Sequence, residues 1–381
     1  MLSSRASRLI PLLAALLLAG SAAVAQQGAG LIVVKPAGKE PTLTFGGLLQ
    51  VQADIGDQGD NRFANDNDRF YLRRARFNAT GKFLEEFDFR LELDLAGSLS
   101  NTTGLRAQMT DGYITWNRLP AANVRVGQFK TPFGFEQLYG DPRLLTLERS
   151  LVNDRLTLSR QLGLQVTGDL LEKRVSYAVG AFNGNSVNNN FNDNDKFVWV
   201  GRLSGIPWQK GSGDKAMSWA VGGNAYKSDD TALAQGSEFR FDSTPATADR
   251  DNLFTGERRG LGLDTQFLAG PFELWAEALR VRWKPESRRP RATLESAGWY
   301  LQAGLFVVPK KLQIVGKYET FDPDRDAEAD DTDTATLGVN YYIKGHDLKL
   351  MLDYLRTDVS RTAAGRPDTD NKVLARLQVI F

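Results

Sequence analysis

From Thr42 to the C-terminus apolar and polar residues alternate with period two, the mark of strands whose two faces meet different surroundings. The stretch 74–95 shows it most plainly. Arg74, Arg76, Asn78, Thr80, Lys82, Asp88, Arg90, Glu92 and Asp94 share one parity. Phe77, Ala79, Gly81, Phe83, Phe87, Phe89, Leu91, Leu93 and Leu95 share the other, and Leu84-Glu85-Glu86 turns the chain between two strands. The pattern recurs to the end, where Val373, Ala375, Leu377, Val379 and Phe381 oppose Lys372, Arg376 and Gln378. It predicts strands over 42–54, 70–82, 86–96, 107–118, 123–129, 160–169, 173–183, 195–205, 216–226, 259–269, 271–282, 295–307, 311–320, 333–344, 347–358 and 370–381. The number is even, and a tilted membrane-spanning strand needs about 9–11 residues.

The connections sort by length. Phe83–Glu85, Leu119–Ala122, Leu170–Glu172, the Gly270 turn and Gly345-His346 are short. They alternate with long ones at Ile55–Arg69, Gly97–Arg106, Lys130–Ser159, Lys227–Arg258 and Phe321–Thr332. An outer-membrane barrel has this asymmetry, with tight periplasmic turns and long outer loops. A soluble two-sheet sandwich, the other fold built from alternating strands, has no cause for it. Ile206–Lys215 is the exception, longer than a periplasmic turn should be. The expected fold is all-β, a transmembrane antiparallel β-barrel of about 16 strands over 42–381, with both termini periplasmic. The tryptophans, Trp116, Trp199, Trp208, Trp219, Trp275, Trp283 and Trp299, lie mostly near strand ends and fit either an interfacial girdle or scattered core positions.

The N-terminus has a basic head with Arg5 and Arg8, an apolar run Leu9–Ala19 and the small residues Ala23-Val24-Ala25. That is the order of a secretory signal, 1–25, cleaved after Ala25. Residues 26–41 lack periodicity and are expected to form a short periplasmic leader. Mean hydropathy is −0.33, and beyond Ala25 no apolar run approaches the ~20 residues of a membrane helix. Alternating strands give such values because their two faces cancel.

Lys and Arg number 47 against 46 Asp and Glu, a balance without the clustered basic face that nucleic acid requires. The absence of cysteine removes thiolate catalysis, thiolate zinc sites, disulfides and a lipoprotein anchor. The one histidine, His346, falls in a tight turn away from any long loop, so a Ser or Thr nucleophile has no base. Neither catalysis nor a cofactor is expected. Asp322–Asp333 matches a calcium loop in outline, but Ala327 replaces the glycine at position six and Asp333 the glutamate at position twelve. A solvated outer loop without metal is the expectation.

Five motifs stand in order along the chain: Arg73-Arg74-Ala75-Arg76-Phe77, Thr110-Asp111-Gly112-Tyr113, Val126–Gly134, Leu147-Glu148-Arg149-Ser150-Leu151 and Arg160-Gln161-Leu162-Gly163. Each is short, but the ordered set resembles the phosphate-selective porin O and P family over most of the mature chain, most strongly from about 70 to 165. The resemblance implies a sixteen-stranded porin of the cell outer membrane, usually a homotrimer, with the third outer loop folded into the pore. It implies partners among outer-membrane lipid, lipopolysaccharide and small anions such as phosphate. Terminal Phe381 is similar to the last-residue aromatic by which the barrel-assembly machinery recognises its clients. In one respect the chain departs from the family's best-known members. Arg74, Arg76, Lys82 and Arg90 share their row with Asp88, Glu92 and Asp94, which leaves the solute open.

The third outer loop is Lys130–Ser159, where Pro132 and Gly134 end the strand at once. It carries Arg143, Arg149 and Arg155 among Glu136, Asp141, Glu148 and Asp154. A guanidinium keeps its charge and offers a planar fork to a phosphate. The expected anion pathway therefore comprises Lys130, Arg73, Arg74, Arg76, Arg143 and Arg149, with Lys130, Arg74 and Arg76 facing the acids of the loop. Ordinary salt-bridging between lumenal charges is the other reading of the same residues. A passive channel for small hydrophilic solutes follows from the polar row, and a plugged structural or adhesin barrel is its competitor.

Overall fold

The computed structural model describes residues 32–34, 42–60, 62–63, 68–96, 107–234, 253–286, 293–327, 330–360 and 369–381. The signal segment, most of the leader and the connection at 97–106 lie outside the described residues. The strands are β1 (Ile32–Val34), β2 (Thr42–Gly56), β3 (Arg69–Phe83), β4 (Phe87–Asp94), β5 (Gln108–Leu119), β6 (Ala122–Lys130), β7 (Arg160–Leu170) and β8 (Val175–Phe182). They continue as β9 (Val198–Lys210), β10 (Met217–Ala234), β11 (Leu253–Ala269), β12 (Phe272–Pro285), β13 (Leu294–Val308), β14 (Leu312–Asp322), β15 (Thr332–Lys344), β16 (Leu348–Val359) and β17 (Thr369–Ile380). Each strand from β2 to β17 pairs antiparallel with its sequence neighbours, and β17 returns to β2 from Lys372↔Gly56 to Ile380↔Leu48. Sixteen strands thus close a barrel with no free edge. Beyond the end of β17, β1 covers the same side of β2, with Ile32 opposite Phe45 and Val34 opposite Leu43.

The two faces separate as their periodicity requires. On β15, Leu337, Val339, Tyr341 and Ile343 are exposed, whereas Thr334, Thr336 and Asn340 are buried. On β17 the buried set is Asp370, Lys372, Leu374, Arg376 and Gln378. Tight turns sit where the pattern placed them, and Leu84 and Glu85 take φ of 50° and 57°, the left-handed pair that matches hairpin twist.

Four features differ from the sequence expectation. β10 and β11 run past 226 and before 259, to Ala234 and from Leu253. Their outer ends no longer alternate in polarity, since water lies on the outside there, but the ladder continues through Lys227↔Arg259 and Asp229↔Glu257. The connection at 206–215 shrinks to 211–216, because β9 carries Pro207 at a register shift opposite Ala220, a place where a strand tolerates a missing donor. The tryptophans divide: Trp199, Trp208, Trp219 and Trp299 are exposed, whereas Trp275 and Trp283 are buried on the inward parity of β12. Finally, the outer half of β12 inverts, with Leu279, Val281 and Trp283 inside and Arg280, Arg282 and Lys284 outside.

The seam depends on the last residue. Phe381 N–H donates to Gly47 O at 3.1 Å and Gly47 N–H to Phe381 O at 2.6 Å. A Cβ at Gly47 would stand 2.4 Å from the Phe381 ring and 2.9 Å from the Arg76 carbonyl oxygen. Gly47→Val should therefore destabilise barrel closure by about 1–3 kcal/mol, the cost of overpacking a filled site. Urea unfolding in lipid vesicles, followed by the mobility of the folded barrel on unheated gels, measures it. A midpoint equal to wild type would remove this contact from the seam.

Candidate functional site: the inner wall and residues 131–159

Between β6 and β7 the chain forms α1 (Phe135–Leu138), a 3₁₀ turn at Asp141–Arg143 and α2 (Leu151–Leu156). Gly134 begins it at φ 84°, where a Cβ would meet Thr157 Cγ2 at 2.6 Å, so the turn after Pro132 needs glycine. Both helices are too short to hold themselves. Wall carboxylates take up their free N–H groups. Glu277 of β12 accepts from Phe135 N at 2.5 Å and from Glu136 N at 3.1 Å. Glu319 of β14 accepts from Leu151 N at 2.5 Å, while Ser150 Oγ caps Asn153 N at 3.1 Å. Asp353 of β16 accepts from Leu147 N at 2.7 Å.

Donors from the wall and from the β2–β3 connection take the carbonyls. Asn340 donates to Leu145 O at 2.8 Å, Arg376 to Leu147 O at 2.5 Å, Lys317 to Glu148 O at 3.1 Å and Arg62 to Arg149 O at 2.6 Å. Apolar contacts complete the attachment. Leu151, Val152 and Leu156 of α2 share one buried cluster with Phe254, Val281 and Trp283, and Phe135 packs edge-on to Trp275 at 5.4 Å.

The cations gather around two carboxylates. Asp141 Oδ1 lies 2.5 Å from Arg149, its Oδ2 lies 3.3 Å from Arg74 Nε, and Arg76 also binds it. Glu148 pairs with Arg73 at 2.8 Å and with Arg376 at 2.5 Å. Arg73 and Arg74 reach inward together because β3 carries a register shift opposite Gln50 and Val51. Phe70 and Leu72 then lie on the outward parity before the bulge, and Ala75 and Phe77 after it. Burial would raise the Asp141 carboxyl, but Arg149, Arg74, Arg76 and Lys130 hold it well below the usual carboxylate range. Glu148 is likewise held low, by Arg73 and Arg376 against its burial. Glu136 is pushed up by burial, against the charge of Lys317 and the Ser150 donors.

The six expected pathway residues therefore divide. Arg73, Arg74, Arg76 and Arg149 meet, but they bind Asp141 and Glu148 directly instead of facing them across an opening. Lys130 donates to Tyr139 O at 3.1 Å and has no carboxylate within 4.0 Å among the described residues. Arg143 is exposed. Lys130, Arg76, Arg90, Arg143 and Arg160 line one cleft of about 600 Å³. His346 lines it too, its Nδ1 lying 3.2 Å from Pro142 O, which corrects its expected separation from the long loops. Arg376, Arg62 and Lys317 escaped the sequence reading, although Arg376 and Lys317 stand in polar rows of the alternation. Asp322, Asp330 and Asp331 bring carboxylates within 4.8 Å of one another at the β14–β15 loop, all half-exposed.

The phosphate-selective porin O and P model matches residues 46–381. The chain belongs to that family. It is an outer-membrane β-barrel with a channel's architecture, and its family is one of non-catalytic porins. An uncharacterised protein of Aquifex aeolicus strain VF5 is 25% identical over 358 residues, 83% of each chain. Among solved structures, the anion-selective porin from Comamonas acidovorans is similar at TM-score 0.64 and 13% identity, over 90% of this chain and 100% of that one. The outer membrane channel DcaP of Acinetobacter baumannii is similar at TM-score 0.59 and 13% identity, over 90% and 97%.

Removing the Asp141 charge should release the segment. In Asp141→Asn three guanidiniums lose their shared carboxylate, a loss of about 3–5 kcal/mol for a buried pair. Amide hydrogen exchange should rise across 131–159 while the barrel strands stay protected; unchanged protection would refute the assignment. The pH dependence has a definite sign. Asp141 and Glu148 titrate lower in the folded protein than in an unfolded chain, so they stabilise the segment above about pH 4. That stabilisation is lost as pH falls through their depressed values, so protection across 131–159, taken relative to the base-catalysed intrinsic exchange rate, should fall on the acid side.

Proposed function

We propose that this porin is a passive diffusion channel for small hydrophilic solutes with a weak to moderate preference for anions, phosphate-like ions included. In this reading residues 131–159 fold into the lumen and narrow it. The observation that carries it is a local excess of positive charge. Among the described residues Arg73, Arg74, Arg76, Arg90, Arg149, Arg160, Arg376 and Lys130 find as ion-pair partners only Glu92, Asp94, Asp111, Asp141 and Glu148. Lys130 and Arg143 supply the charge that salt bridges leave over, and they act on passing ions within a screening length of ~8 Å. The wall hydrogen bonds to the segment's backbone support a fixed constriction. The porin from Comamonas acidovorans that the chain resembles in fold is anion-selective. Export with cleavage after Ala25, assembly guided by Phe381 and a homotrimeric state belong to this reading.

One observation favours the competing plugged barrel: α2 and the inward apolar residues of β11–β14 fill part of the outer half. Conductance separates the two, since purified wild-type protein in planar bilayers should give discrete open channels, and silent bilayers would leave only the scaffold reading. Under a salt gradient the reversal potential should have the sign of anion preference. Lys130→Glu should lower the anion-to-cation permeability ratio about two- to fourfold, the effect of reversing a charge ~10 Å from the ion path in water. An unchanged reversal potential would take Lys130 out of the pathway.

A further inference from the structure

The outward face of β11–β13 carries a groove that the channel reading does not use. Neighbouring strands set it in register. Ala278 on β12 lies opposite Leu263 of β11 and Trp299 of β13, and Ala276 lies opposite Thr265 and Leu301. The alanines make a floor, and Leu261, Leu263, Trp299 and Leu301 stand as walls, each more than 40% exposed. Two contiguous hollows of about 500 and 420 Å³ share Leu263, Ala278 and Trp299.

Towards the outer end the same outward row of β12 changes to Arg280, Arg282 and Lys284, all exposed. Arg259 lies opposite Arg282, and Arg325 shares Glu295 with Arg280. Neither Arg282 nor Lys284 has a carboxylate partner among the described residues. Arg259 is paired with Glu257 at 2.8 Å, and Asp322 and Asp331 border the β14 side, so the cations without a carboxylate partner, Arg282 and Lys284, stand on β12.

We propose that this groove is a site for a phosphorylated, multiply acylated glycolipid of the outer leaflet. Acyl chains lie on Ala276 and Ala278 between the apolar walls, and phosphate groups meet Arg282 and Lys284. The apolar floor alone would suit any hydrocarbon. The cation row at one end, at headgroup height, selects an anionic headgroup whose chains point down the groove. Bare phosphate lacks the part that fills the floor. The inference rests on the outer-membrane location and not on the selectivity of the pore.

Native mass spectrometry of the detergent-purified protein with hexa-acylated, diphosphorylated lipid A tests it. Wild type should retain the lipid, dephosphorylated lipid A should bind at least tenfold more weakly, and millimolar inorganic phosphate should not displace it. Arg282→Ser/Lys284→Ser and, separately, Ala278→Phe should each weaken binding at least tenfold, with single-channel conductance unaltered and the barrel folded on unheated gels. Wild-type retention by both variants would overturn the proposal. So would disulfide cross-linking between copies through Ala278→Cys in native membranes, which would make this face a subunit contact.

Discussion

Backbone N–H and C=O groups in hydrocarbon have no water to turn to, and the return of β17 onto β2 leaves none of them at an edge. Everything else in the molecule depends on that closure. It turns a ribbon with two faces into a vessel with an apolar outside and a polar inside. It also places side chains from distant parts of the sequence around one enclosed space. Gln50 of β2 and Gln378 of β17 hydrogen-bond at 2.7 Å across the seam although the chain separates them by 328 residues. The short pairing of β1 and the reciprocal bonds of Gly47 and Phe381 finish the same edge at its periplasmic end.

Once closed, the wall acts on the 131–159 segment through its backbone as much as through its side chains. Glu277, Glu319 and Asp353 take N–H groups, and Asn340, Lys317 and Arg376 take carbonyls. Two helices of one turn or little more thereby acquire caps that their own sequence lacks in part. Glu277, Glu319 and Asp353 of the wall are engaged with backbone donors, and Asp141 and Glu148 of the segment with arginines. Charge of both signs is abundant, yet around Asp141 the surplus is positive.

The physical rule that sorts the faces also changes with depth. Along the lower part of β12 apolar residues point out and Glu273 and Glu277 point in. Further out, Leu279, Val281 and Trp283 point in, where α2 provides an apolar surface, and cations point out, where headgroups and water begin. A single strand thus meets lipid, water and a packed core in succession, and its parity reverses meaning without a change of backbone.

All sixteen barrel strands were legible in the sequence, because alternation at period two is a local consequence of having lipid on one side and water on the other. The sorted connections were legible for the same reason, as was Gly134, whose turn follows from Pro132. The extent of β9 and β10 was not, since outside the hydrocarbon a strand survives on hydrogen bonds alone and Pro207 is tolerated at a bulge. The charged residues of 131–159 and of β3 could be named as candidates from their type and row. Which of them pair, that Arg376 and Arg62 join them, and that His346 touches Pro142 were decided only by the tertiary structure. Those contacts join residues brought together by closure, and no local pattern in the chain records a neighbour that is reached around the barrel.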